Sequence, residues 1–185
     1  MKERYLIIGF QPPTRRISLD SERAENATDA MRAVAGMRKA ADVLLAWTPG
    51  QMRHMADLLA AMTPRQIAFN RRSAELEERS FRASQMAPPP VHTGGPQSQP
   101  FLVISYTPDT EAVHLDTELN DSPDAALSSV AGIRSRAHVI LAFTPEQLRE
   151  MAANLEGLTA EQIAFNRRAA EQEEKTFYAE LATWQ

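Results

Sequence analysis

The chain has 185 residues, 43% hydrophobic content and a formal net charge of −4, ordinary values for one or two globular domains. It contains no cysteine, so disulfides and thiolate zinc sites are excluded. Its longest apolar runs are too short to span a bilayer, and Met1-Lys2-Glu3-Arg4 leads into too short an apolar run for a secretory signal, so a cytoplasmic protein without membrane attachment is expected.

The first element, Tyr5–Phe10, is a continuous apolar run, as expected of a strand covered on both faces. Gln11-Pro12-Pro13-Thr14 is a turn sequence, and Ile17 and Leu19 alternate with polar neighbours beyond it. Together these predict a hairpin whose second strand lies at the sheet edge. Asp20 and Glu22 close that strand. Two residues apart on a strand, they point to the same side and could share a hard divalent cation. A hydrolytic metal site needs further ligands, and none is positioned with them. A solvated acidic loop ahead of a helix, favoured by the helix's positive end, is the preferred reading.

A helix follows over about Thr28 to Arg38, with Met31, Val34 and Ala35 on one face. Gly36 near its end suggests a C-cap or a close packing contact. Val43–Trp47 reads as a third, buried strand. Thr48 with Gln51, and Thr63 with Gln66, are capping boxes that start two more helices. Pro49 and Pro64 occupy the first helical positions, where a missing N–H costs nothing. Staples pair Trp47 with Met52 and Met62 with Ile67.

The helix from Pro64 puts Ile67, Ala74 and Phe81 on one seam, a plausible face toward the preceding helix. Phe69 falls on the opposite side, near Arg72, Ser73 and Leu76. It must expose itself or meet a second surface, and aromatic plus arginine is the composition of an interface anchor. Glu75, Glu77 and Glu78 follow closely, and pairing of Glu75 with Arg79 and of Glu171 with Lys175 along the helix is expected. So many carboxylates argue against a phosphate site.

Residues 83–100 hold five prolines and no Asp, Glu, Lys or Arg, which predicts a flexible linker. As a coil it would span roughly 23 Å, and extended about 55 Å. Beyond it the pattern begins again. Residues 101–178 match residues 5–82 without a gap at an offset of 96, with 36 of 78 pairs identical. The capping boxes recur at Thr144 with Gln147 and Thr159 with Gln162, the acidic pair at Asp116 and Glu118, and the outward aromatic at Phe165 with Arg168. No histidine occupies the same position in both copies, so no histidine site is shared between them. No glycine-rich phosphate loop or nucleophile elbow is present.

The copies differ in charge. Residues 1–82 carry fourteen Lys/Arg and ten Asp/Glu; residues 101–185 carry six and fourteen. Arginine outnumbers lysine 17 to 3, which points to a GC-rich, bacterial or phage, coding sequence. The expected fold is α+β: a tandem duplication of a ββαβαα unit, each with a three-stranded mixed sheet, its first strand central, and three helices, related by a pseudo-twofold. The domains are 1–82 and 101–185, joined by the 83–100 linker, with the copies docking on each other. The expected function is non-enzymatic. A protein partner or self-association would use Phe69, Arg72, Phe165 and Arg168, and no cofactor or metal is called for. The alternative is binding of nucleic acid or a small anionic ligand by the basic first copy or a crevice between copies.

Overall fold

The computed structural model describes residues 2–81 and 98–183, with side chains over 2–78 and 98–179. The first repeat forms β1 (Glu3–Gln11), β2 (Arg16–Ala24), α1 (Ala27–Met37), β3 (Asp42–Trp47), α2 (Pro49–Ala61) and α3 (Pro64–Phe81). The second forms β4 (Gln99–Thr107), β5 (Ala112–Asn120), α4 (Pro123–Ile133), β6 (His138–Phe143), α5 (Pro145–Gly157) and α6 (Ala160–Thr183). The element order is the same in both and gives an α+β fold. Strand β4 takes Gln99 and Pro100 from the segment that composition assigns to the linker; the remainder, 83–97, lies outside the described residues.

The sheets have the orders β2-β1-β3 and β5-β4-β6, with the first strand of each repeat central. Both are antiparallel throughout, not mixed as composition suggests. The reason is topological. The helical crossover returns β3 parallel to β2, but β1 already lies between them, so β3 pairs only with β1. One extra residue on the third strand, Leu44 or Ile140, shifts the register at the same point in each sheet. Each hairpin turns through a left-handed residue, Arg15 (φ 54°) or Glu111 (φ 53°).

Central strands are buried on both faces. Tyr5 and Ile7 pack with Ala30 and Val34 of α1, and Phe101 and Val103 with Ala126 and Val130 of α4. Ile8 and Ile104, pointing the other way, are fully buried too.

All four capping boxes form. The backbone N–H of Gln51, Gln66, Gln147 and Gln162 donates to its threonine Oγ1 at 3.2–3.3 Å, and each glutamine Oε1 accepts from the threonine N–H at 2.7–2.9 Å. Thr144→Ala removes one partner of such a pair and should cost about 1 kcal/mol in urea melts. A change within a few tenths would show the cap to be energetically idle. Helix α1 starts one residue earlier than its periodicity implies, because Asn26 caps it through Asp29 N–H. Gly36 and Gly132 are neither C-caps nor packing contacts. Both helices run one residue further and are capped by Arg38 and Arg134, and a Cβ at either glycine would meet nothing within 4 Å.

The chain forms two compact units that interleave with respect to its sequence period: residues 1–52 with 150–185, and residues 53–149. In the first, α6 packs along the edge strand β2 and touches α1; in the second, α3 packs along β5 and touches α4. The last helix of each repeat therefore covers the edge of the other repeat's sheet. The seam of Ile67 and Ala74, and its counterpart Ile163 and Ala170, is buried. It meets that edge strand instead of the preceding helix.

Candidate functional site

The acidic run at the end of each second strand is the start of a buried ionic network. Arg38 and Arg134 are the C-cap residues of α1 and α4, so a backbone N–H bonded at 2.7 Å to Val34 or Val130 fixes where each side chain begins. From there the guanidinium turns back to the strand. Arg38 donates two hydrogen bonds to Asp20 (3.0 and 3.3 Å), and Arg134 two to Asp116 (2.9 and 3.1 Å). The fork geometry matches a carboxylate edge-on and leaves one nitrogen free. The crossing helix fills it: Glu173 of α6 accepts from Arg38, and Glu77 of α3 from Arg134, both at 2.8 Å. Glu173 also pairs with Arg16, whose guanidinium sits 5.4 Å from the Phe177 ring centroid.

A second arginine on each crossing helix reaches the other acidic residue. Arg71 donates to Glu118 (2.9 Å) and to Ser129 Oγ (2.6 Å), and Ser129 donates to Glu118 in turn. Arg167 reaches Glu22 at 3.3 Å. Within the helices, Arg71 pairs with Glu75 and Arg167 with Glu171. The alternative pair Glu75 with Arg79 involves a side chain outside the described residues, and Glu171 meets Arg167, where Lys175 was expected.

Burial and charge oppose one another here. Burial disfavours the charged forms of Arg38 and Arg134, yet the bonds and charges of Asp20 with Glu173, and of Asp116 with Glu77, outweigh it and raise both pKa values. The Arg38 hydrogen bond holds Glu173 below the usual carboxylate range. Burial pushes Glu118 up against the pull of Arg71. His114 is held below its usual 6.5 by burial and by the Arg134 charge, which outweigh Asp116, Glu77 and Glu78.

The His114 shift has a definite sign. The unfolded chain takes up the proton first as pH falls, so the contribution is full above pH 6.5 and is lost below it. Glu118, with a raised pKa, acts in the opposite sense, because its protonated form is the one the fold favours. His114→Ser, matching Ser18 of the first repeat, should flatten the pH dependence of stability below pH 6.5 relative to the parent. Urea melts across that range check it; identical slopes in the two proteins would refute it.

Sequence reasoning preferred a solvated acidic loop for Asp20, Glu22, Asp116 and Glu118 over a shared cation; the structure instead buries Asp20, Asp116 and Glu118 and gives each of the four an arginine. Among the described residues no group of three or more His, Asp or Glu is placed to hold a metal ion. Arg38, Arg134, Arg71, Arg167, Glu77 and Glu173 were not foreseen in this role. Their signal was available: every one of these charged positions is identical between the two copies.

The four residues expected at an interface lie outside this network. Phe69 is 71% exposed and Phe165 65%, and Arg72 and Arg168 are exposed beside them. Leu76, one turn-pair along from Phe69, is exposed as well. Among the described residues no helix is long and apolar enough to cross a membrane. Neither protein-family models, nor curated proteins, nor solved structures match the chain.

Proposed function

We propose that the chain is a non-enzymatic binding or assembly protein acting through the outer faces of α3 and α6. The observation that carries this is the exposure of a phenylalanine at the same position of both repeats, 71% at Phe69 and 65% at Phe165. Neither contributes to the buried seam of its helix. A large exposed aromatic beside an arginine has the composition of an interface hot spot. Its retention in both copies suits a bivalent module that engages a repeated or symmetric protein partner, or a second copy of the chain.

The test is the double substitution Phe69→Ser with Phe165→Ser. Because both side chains are exposed, thermal stability should change by no more than about 0.5 kcal/mol. Sedimentation of the purified protein and crosslinking in its native host should both be compared with the parent. Loss of self-association or of a specific crosslinked partner is expected. Unchanged sedimentation and unchanged crosslinks would remove these helix faces as the working surface.

A further inference from the structure

We propose that a cleft between α1 and α6 binds an amphipathic organic anion, an acidic group carried on an aromatic or apolar body. The cleft measures about 520 Å³ and belongs wholly to the unit built from residues 1–52 and 150–185. That volume is in the range of small-molecule sites. Its apolar lining comes from Ala33, Gly36 and Met37 of α1 and from Tyr178 of α6. Gly36 is the centre of the argument from shape. It lies within the helix, and a Cβ there would meet nothing within 4 Å, so the glycine borders open space, not a close helix contact.

The charge is as specific as the shape. Only three lysines occur in the chain, and two of them, Lys39 and Lys175, line this cleft. Neither has an ion-pair partner among the described residues. Arg32, which pairs with Asp29, and Arg167 add two further cations. The carboxylates present are Glu171, which pairs with Arg167, and Glu174, which is buried 3.9 Å from Arg38. Arg167 answers Glu171, Glu174 keeps one buried oxygen without a hydrogen bond, and neither carboxylate forms an ion pair with Lys39 or Lys175 among the described residues.

The duplication supplies an internal control. In the other repeat the positions of Arg32, Ala33 and Lys39 are held by Ser128, Ser129 and Ser135. There Arg71 is closed in by Ser129 and Glu118, with its side chain 9% exposed. Its counterpart Arg167 faces Ala33 in place of a serine, and its side chain is 44% exposed. The two arginines and three carboxylates that tie helix to sheet (Arg38, Arg167, Asp20, Glu22 and Glu173 in one unit) are identical in type in the other, whereas Ser129 and Arg16 are matched by Ala33 and Ala112. On its α1 side the cleft carries two cations that the other repeat lacks, and it lacks the serine that closes the arginine in there. Packing alone does not require these features, because the other repeat packs without them.

The experiment uses the full chain and 8-anilinonaphthalene-1-sulfonate, a fluorescent aryl anion, in equilibrium titrations. Lys39→Glu with Lys175→Glu should weaken binding at least tenfold. Gly36→Leu, which fills the cleft at a site with room for a side chain, should do the same while leaving thermal unfolding intact. Naphthyl phosphate and naphthoate should displace the dye, and the stronger of them identifies whether phosphate or carboxylate is preferred. Neutral naphthol and inorganic phosphate should not. The Phe69→Ser and Phe165→Ser protein should bind the dye as the parent does, which separates this site from the helix faces proposed above. The proposal is overturned if the charge-reversed or filled variants bind like the parent, if naphthol competes as well as the acids, or if only loss of the phenylalanines abolishes binding.

Discussion

Replacing Arg134 by alanine should destabilise the protein by about 3–5 kcal/mol, the usual cost of stripping one partner from a buried ion pair. The side chain is 5% exposed, and all three of its nitrogens are bonded to carboxylates, two to Asp116 and one to Glu77. Its removal leaves Asp116, 8% exposed on its side chain, as an unpaired buried charge. Most of the loss should therefore come from the stranded carboxylate and not from the missing attraction. Arg134→Met combined with Asp116→Leu should recover most of the stability, because neither charge is then buried alone. Urea melts of the two single variants and the double variant give the coupling directly. A loss under about 1 kcal/mol for the arginine variant would mean that water reaches the pair.

A chain ended after Leu158, and so lacking α6, should lose hydrogen-exchange protection in β2 by roughly 100-fold or more while β5 keeps its protection. The effect is remote in sequence: the edge strand exposed lies more than a hundred residues from the helix removed. Helix α6 supplies Ile163 and Ala170 to the buried seam and Glu173 to Arg38, and it runs along the free edge of β2. Without it that edge presents unpaired backbone groups and a template for aggregation. Were α6 packed on its own repeat, β5 would be the strand to open. Peptide-resolved exchange therefore distinguishes the exchanged arrangement from the local one, and deprotection confined to β5 would refute the contact seen here.

The features legible in the sequence are those set by neighbours along the chain. The threonine and glutamine of each capping box stand three residues apart and satisfy one another, so no tertiary information is needed to find them. The central position of β1 follows from its apolar run and the hairpin after it. The partner of Asp20 was not legible, because Arg38 lies 18 residues away and Glu173 far beyond that. The crossing of the last helices was hidden for a sharper reason. Glu22 and Glu118 are the same residue type, as are Arg71 and Arg167, and Glu77 and Glu173. Any helix could make the same ion pairs with either sheet, so local and exchanged packing satisfy the sequence equally, and only three-dimensional reach decides between them. That Phe69 and Phe165 lie off the buried seam was legible because it depends on the geometry of one helix alone.

The interleaving of the two compact units also gives them different histories on the ribosome. Residues 53–149 are contiguous, and that unit is complete as soon as its own stretch has been translated. The unit holding β1, β2 and β3 waits for residues 150–185, with 97 residues of the other unit synthesised in between. From residue 52 to residue 185 is 133 residues, which at 5–20 residues per second takes roughly 7–27 s. Through that interval the β2 edge has no α6 to cover it, and Arg38 has Asp20 but not Glu173. The sheet of β1, β2 and β3 is thus translated before the other unit and finished after it, and its uncovered β2 edge is where holdases or stray strand pairing would act first.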